Sequence, residues 1–340
     1  MRNPIISIFM PVYNGSMYLR QTIESILGQT FKDFELVCVD DSSTDDSLLI
    51  LQEYAKKDLR IRIFTKDHGG TVPKSWNFVM PHLKGTFIMY TSQDDLMSAD
   101  NLELLYQRHL ETGADCVLPD MIRYFEGVEN KTGIFGVDGD RDCILSGREA
   151  FVLSLYWRIH GFMLCRAEIY KSEKFDENSF NSDEYVARKN FLLSNKVAFC
   201  RGVFFYRQDN PNAITKQKIK SFRFSYLLTQ ERLLKLLLDN DFEKDVVNKF
   251  KYKMFWSIRS FCLTWIRHKV YYRSYENKII SDLLKDQFSK MDRVTILSYK
   301  ERNLIKRLII LASIINYTSF LLMSKFQQTL ADVKNSIFKR

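Results

Sequence analysis

Three apolar runs near the start of the chain each end in a short polar segment. Ile5-Ile6-Ser7-Ile8-Phe9-Met10 stops at Pro11-Val12-Tyr13-Asn14-Gly15, and Phe34-Glu35-Leu36-Val37-Cys38-Val39 stops at Asp40-Asp41-Ser42-Ser43-Thr44-Asp45. A third run, Thr86-Phe87-Ile88-Met89-Tyr90-Thr91, stops at Ser92-Gln93-Asp94-Asp95. Each is β-rich, and a helical spacing of apolar positions precedes the next. Strands alternating with helices predict an α/β fold whose parallel sheet brings all strand C-terminal ends to one edge. Ligands of open α/β sheets bind at that edge. The acidic and polar strand ends are therefore expected to share one pocket.

The wording of these ends resembles the family 2 glycosyltransferases, which have the GT-A fold. The resemblance rests on Pro11-Val12-Tyr13-Asn14, Ser25-Ile26-Leu27-Gly28-Gln29-Thr30-Phe31, Phe34 to Asp46, Lys84-Gly85-Thr86-Phe87-Ile88 and Gln93-Asp94-Asp95. These stretches keep the family's order and spacing across roughly the first 120 residues. It implies transfer of a sugar from a nucleotide donor, usually assisted by a divalent metal.

The residues themselves can be weighed against that chemistry. A diphosphate tolerates nearby carboxylates only with a hard cation between them, and Mg2+ or Mn2+ takes one or two carboxylates plus phosphate oxygens. Asp94 and Asp95 suit that role, although an Asp pair also makes a good helix cap. Asp40 and Asp41 can accept hydrogen bonds from a base or ribose, or serve a capping cluster with Ser42 and Ser43. By resemblance Asp41 faces the base and Asp40 the ribose, with Tyr13 against the base's flat face. The family commonly begins its metal motif with Asp, where this chain has Ser92. The hydroxyl is a weaker ligand, so Asp94 is expected to lead and Ser92 to meet ribose or water. Pro11 and Gln93 complete the donor-binding expectation.

Between the second and third runs lies His68-Gly69-Gly70-Thr71-Val72-Pro73-Lys74-Ser75-Trp76-Asn77. Its glycines, Gly70 among them, permit close backbone approach, and a helix starting near Pro73 offers N–H groups to phosphate. Trp76 stands where the family usually has Arg, and Lys74 is the candidate substitute for that charge. An ordinary turn and helix start is the plainer reading.

The acceptor side is expected further along. Trp157-Arg158-Ile159-His160-Gly161-Phe162 has the make-up of a sugar-contacting loop, so Trp157, His160 and Gly161 are its candidates. Asn181-Ser182-Asp183-Glu184 opens an amphipathic helix, and in the family an acidic pair here carries the catalytic base of inverting enzymes. Asp183 and Glu184 compete for that role, with Asp183 favoured at the helix mouth. A simple capping cluster is the alternative. Arg207, in the stretch Val203 to Thr215, is either a fork for diphosphate or a structural ion pair.

Other chemistries find little support. The five histidines are scattered without zinc spacing, and neither a Gly-x-Ser-x-Gly elbow nor a P-loop occurs. The six cysteines show no paired spacing, and no N-terminal signal pattern is present, which predicts a reducing, cytoplasmic setting.

Charge divides the chain. Residues 216–340 hold 26 Lys and Arg against 11 Asp and Glu, while residues 1–215 hold 24 against 30. The expected organisation is a GT-A catalytic domain over 1–215, with 1–120 binding nucleotide-sugar and 121–215 serving the acceptor. A basic helical region follows over 216–340. Its Lys and Arg interleaved with Trp, Phe and Tyr, from Tyr252 to Trp265, suit the cytoplasmic face of a membrane better than nucleic acid. The 308–323 stretch falls short of the ~20 residues a spanning helix needs. An inverting, metal-assisted transferase acting on a glycan or lipid-linked acceptor in surface-polysaccharide synthesis is the leading expectation. The alternatives are a non-catalytic binding protein with a decayed site, and a nucleotidyltransferase.

Overall fold

The computed structural model describes residues 3–128, 132–179, 181–216, 220–299, 301 and 303–326. Two compact units emerge, one of residues 1–177 with 182–213, the other of 178–181 with 214–340.

The first unit opens β1 (Ile6–Val12), α1 (Ser16–Leu27), β2 (Phe34–Asp40), α2 (Ser47–Lys57), β3 (Ile61–Thr65), α3 (Val72–Val79) and β4 (Phe87–Tyr90). It continues with β5 (Leu96–Met97), α4 (Asn101–Thr112), β6 (Cys116–Tyr124), β7 (Gly133–Ile134), β8 (Ile144–Ser146), α5 (Gly147–Ser154) and β9 (Leu164–Arg166). Helices α6 (Ala167–Tyr170) and α7 (Ser182–Leu193) lead to β10 (Lys196–Arg207). The sheet runs β3-β2-β1-β4-β9-β6-β10-β5, with β7 on β6 and β8 on β10. β1 pairs in parallel with β2 and β4, β2 with β3, and β6 with β10. β9 enters antiparallel between β4 and β6 and joins the two parallel halves.

β1 and β2 are apolar along both faces because helices cover both. Ile6, Ile8, Met10, Leu36 and Cys38 join Leu19, Ile23 and Ile26 of α1, spaced on one helix face, in a single core. Pro11 lacks the N–H a central strand needs. It is tolerated because the ladder to β4 ends at Phe9–Tyr90, before Pro11 is reached. β3 was not among the expected strands: Ile-Arg-Ile-Phe-Thr alternates, as an edge strand does, and its burial is only partial. Gly85 permits the tight entry to β4, since a Cβ there would lie 2.4 Å from the Ser7 nitrogen.

The second unit is helical: α8 (Tyr226–Asp239), α9 (Lys244–His268), α10 (Ser274–Ser289), α11 (Arg293–Ser298) and α12 (Leu304–Ser313), then a helix over 317–326. Its core gathers Phe255, Ile258, Cys262 and Trp265 from α9 with Ile280, Leu284, Phe288 and Ile310. The aromatics of α9, read from sequence as suited to a membrane interface, thus supply much of this core instead. The apolar stretch 308–323 is broken by residues 314–316 and buries Ile310, Ile314 and Phe320. No helix among the described residues is long and apolar enough to cross a membrane. Residues 327–340 of the expected helical region lie outside the described residues.

Candidate active site

The ends of β1, β2 and β4 lie side by side. The Asp41 N–H donates to the Val12 carbonyl at 2.8 Å, and the Thr91 N–H to the Phe9 carbonyl at 3.0 Å. Asn14, in the left-handed region at φ 47°, ties the first end to the second. Its carboxamide oxygen accepts from the Thr44 N–H (2.8 Å), and its own N–H donates to Ser43 Oγ (3.1 Å). Gln93 ties the first end to the third: its Oε1 accepts from the Tyr13 N–H (2.8 Å) and its Nε2 donates to the Tyr13 carbonyl (3.0 Å). Gln93 therefore positions Tyr13, and its amide is spent on that backbone. The Tyr13 ring is 42% exposed and lies 4.5 Å from the His68 ring.

Asp41 gathers the loop after β3. Its buried carboxylate accepts from the Gly69 N–H (2.7 Å), the Gly70 N–H (3.0 Å) and the Lys66 ammonium. Burial alone would push this carboxyl up, but the bonds from Lys66, Gly69 and Gly70 outweigh it and hold the group below the usual carboxylate range. Gly70 adopts φ 73°, the left-handed region that favours glycine. A Cβ on Gly69 would lie 2.5 Å from Lys66 Nζ and 3.0 Å from Lys74 Cδ, so Lys74 flanks the loop from the first turn of α3. Asp40 keeps one oxygen on the Ser43 N–H (3.1 Å), and its buried Oδ1 has no hydrogen-bond partner among the described residues. A ligand hydroxyl or N–H would satisfy that oxygen.

The β4 end differs from the expectation in two residues. Asp95 is buried, and its Oδ1 accepts from the Arg207 N–H at 2.9 Å. Burial, then the adjacent Asp94 charge, raise its carboxyl well above the usual range. One of its oxygens is thus spent on a backbone amide inside the fold, which leaves the partly exposed Asp94 the better placed of the pair for a cation. Arg207 is likewise withdrawn from the diphosphate. Its guanidinium has no exposed surface and is fully engaged: Nε donates to the Asp94 carbonyl (2.7 Å) and Nη2 to Gln21 Oε1 (2.8 Å). Nη1 meets Asp209 Oδ1 at 3.2 Å, and the Tyr18 and Tyr124 rings close the faces at 4.3 and 4.9 Å. Arg207 clamps the Asp94-Asp95 turn to β10.

Asp94 remains, partly exposed, with Oδ2 accepting from Asn210 Nδ2 at 2.6 Å. The Ser92 hydroxyl lies 3.3 Å from the Tyr90 hydroxyl. No cluster of three or more His, Cys, Asp or Glu side chains able to hold a metal occurs among the described residues. A single carboxylate still fits Mg2+ or Mn2+, because such ions complete their shell with water and substrate phosphates.

Asp183 stands in the first turn of α7, where Ser182 Oγ accepts from the Asp176 N–H at 2.6 Å. Its side chain keeps an exposed surface, yet surrounding protein and the Glu184 charge raise its carboxyl to about 6. Glu184 is engaged instead by buried Arg188, 3.2 Å away, which also donates to the Glu184 carbonyl at 3.0 Å. Asp183 has no ion pair among the described residues. Burial, then the fields of Asp183, Asp95 and Asp94, push the Tyr90 phenol up.

His160 is not placed to meet an acceptor. It is buried, its Nε2–H donates to the Pro119 carbonyl (2.8 Å), and its Nδ1 accepts from the Phe162 N–H (3.2 Å). These partners assign the tautomer, and burial lowers the ring to about 4, so it stays neutral. Gly161 lets this loop pass α7, since a Cβ would lie 3.0 Å from Ala187 Cβ. Trp157 alone of the three presents an open surface, with the Arg188 guanidinium 5.4 Å from its ring.

Trp76 and Asn77 form a link that sequence reasoning missed. Trp76 is buried between Phe175 (4.8 Å) and Tyr90 (5.6 Å), with Tyr170 at 5.2 Å. It is a core anchor and supplies none of the polar contact an Arg would. Asn77 Nδ2 donates to the Phe175 carbonyl (2.8 Å), and its Oδ1 accepts from the Phe175 N–H (2.9 Å). Lys66, Asn210 and Gln21 also escaped notice, since an isolated Lys, Asn or Gln in sequence carries no signal of its partner.

The family model "Glycosyl transferase family 2" matches residues 7–209 of this chain. Glycosyltransferase GlyG of Streptococcus pneumoniae serotype 4 is 29% identical over 215 residues, 60% of this chain and 71% of that protein. Cholesterol galactosyltransferase of Borreliella burgdorferi is 25% identical over 300 residues, 82% of each. S. aureus TarS 1–349, solved in complex with UDP, superposes with a TM-score of 0.69 at 17% identity, covering 95% of this chain and 91% of that one. That likeness speaks for the fold, which is of GT-A type. With its sheet edge, its matched segment and its relatives in accord, the chain belongs to glycosyl transferase family 2 and is a glycosyltransferase.

Proposed function

We propose that this enzyme transfers a sugar, with inversion, from a nucleotide-sugar to a hydroxyl of a glycan or lipid-linked acceptor, in surface-polysaccharide synthesis at the cytoplasmic face of a membrane. The observation that carries this reading is Asp183: an exposed carboxylate in the first turn of α7, without an ion pair among the described residues, reached through the segment that Asn77 ties to the helix after the Asp41-held loop. On this reading the Tyr13 ring lies along the nucleobase, while Asp40 Oδ1 and the loop held by Asp41 receive the nucleoside. Asp94 would hold Mn2+ or Mg2+, and such an ion would supply charge stabilisation for the departing diphosphate. Asp183 accepts the proton of the acceptor hydroxyl as its oxygen bonds to the anomeric carbon and the bond to phosphate breaks. Nucleoside diphosphate leaves, and attack from the face opposite inverts the centre. Trp157 offers an apolar face to the acceptor sugar.

S. aureus TarS has been solved with UDP-GlcNAc, so UDP-sugars are the donors to try first. The anomeric configuration of the product, read by proton NMR, tests the mechanism. A product of inverted configuration is expected, and a retained one would refute it.

A further inference from the structure

Helix α12 is apolar on two opposite faces. Ile309, Ile310 and Ser313 are buried on one. On the other, Leu304, Leu308 and Leu311, spaced by four and three residues, are 70%, 57% and 48% exposed. Ile305 and Ile315 widen that row, and Leu322 and Phe326 are exposed in the helix that follows. A helix apolar all round is ordinarily buried all round, and a contiguous exposed apolar surface marks a contact.

Charge indicates what covers it. Residues 302–331 contain no Asp or Glu; Arg307 is exposed beside the row and Lys325 is exposed in the helix that follows, while Lys306 turns to the other side, its Nζ 5.7 Å from the Trp256 ring. A second copy of the chain, meeting its own face across a two-fold axis, would bring these like charges together. An anionic bilayer would be attracted by them and would take the apolar row. The ten residues of α12 extend about 15 Å, too short to span the hydrocarbon.

We propose that this face of the helical unit docks on an anionic lipid surface, α12 lying in the interface with Leu304, Leu308 and Leu311 at the acyl boundary. Arg307, which flanks the row, reaches lipid phosphates through its flexible stem, and Lys325 adds to the positive charge of the unit. The inference deepens the reading of a membrane-facing acceptor and rests on it for its biological setting.

The test is co-sedimentation of the full chain with phosphatidylcholine vesicles, with or without phosphatidylglycerol, using wild type and the exposed-site double variant Leu308→Glu/Leu311→Glu. Salt-sensitive binding to the anionic vesicles, weakened by about tenfold or more in the variant at unchanged melting temperature, is expected. Absence of binding, or equal binding by the variant, overturns the proposal. So does a concentration-dependent dimer by light scattering that the variant disperses, which would give the face to a second copy. Donor hydrolysis in solution, measured on the same samples, reports separately on the transferase reading: vesicle binding can fail while hydrolysis persists, or the reverse.

Discussion

Asn77 and Phe175 are joined by two hydrogen bonds from one carboxamide to one residue's backbone, 2.8 and 2.9 Å long. The helix that follows the Asp41-held loop is thereby fixed to the segment leading to Asp183, and Trp76 stacked on Phe175 reinforces the join. Asn77→Ala removes both bonds. It is expected to lower kcat by about ten- to a hundredfold, by misplacing Asp183, with donor Kd changed less than threefold. Kinetics with calorimetry on the same preparation would check the split, and equal losses in both would mean a general loss of structure.

In its proposed role as base, Asp183 works only when ionised. With its carboxyl raised to about 6, kcat/KM should climb about tenfold per pH unit below that value and level off above it. Asp183→Ala is expected to cut turnover at least a hundredfold while donor binding persists. Glu184→Gln, which leaves Asp183 in place, should retain most activity and lower the acid limb of the profile, because a neighbouring negative charge has gone. A variant at Asp183 with near-normal turnover would transfer the role elsewhere.

Asp95 affects stability with a definite sign. Its carboxyl is raised in the folded state by burial and by Asp94, so the folded form holds a proton that the unfolded chain releases. That contribution is complete below the unfolded carboxyl value of about 4 and declines as pH rises through the higher folded value. Asp95→Asn keeps an oxygen for the Arg207 N–H and has no charge to bury. Its melting temperature should exceed wild type's by a few degrees at pH 8 and by less at pH 5. A larger gain at pH 5 would contradict this.

Trp76 is held by rings on several sides. Trp76→Ala should cost about 3–5 kcal/mol in urea denaturation. Trp76→Arg, which matches the usual family residue, should cost as much or more by burying an unpaired charge. Wild-type stability in Trp76→Arg would show that the pocket can admit a polar group.

β1, β2 and β4 were legible because they are apolar runs stopped by polar clusters, a pattern imposed by burial on both faces. By contrast β5, β7, β8 and β9, of two or three residues, are too short to show a period, and Pro119-Asp120 interrupts β6. β3 was missed because its alternation extends over only five residues and an edge strand is only partly buried. At the site, the strand ends and Asp183 were legible as acidic residues at defined breaks in the pattern. The fates of Asp95, Arg207 and His160 were not. Each turns on which direction a side chain faces and what occupies its hydrogen bonds, as with Arg207, whose partners Gln21 and Asp94 lie 186 and 113 residues away. In α9, Lys and Arg among aromatics suit a membrane surface, but the same spacing also serves a helix that buries one face. Tertiary contact with α10 chose the latter for Phe255, Ile258 and Trp265.

In the proposed function, the joined ends of β1, β2 and β4 bind a nucleotide diphosphate through Asp94. Titration calorimetry of UDP with Mn2+ against wild type, Asp94→Ala and Asp183→Ala tests it directly. Metal-dependent binding that is lost in Asp94→Ala and kept in Asp183→Ala is the expected result. Binding that Asp94→Ala leaves unchanged, or that needs no metal, would contradict it.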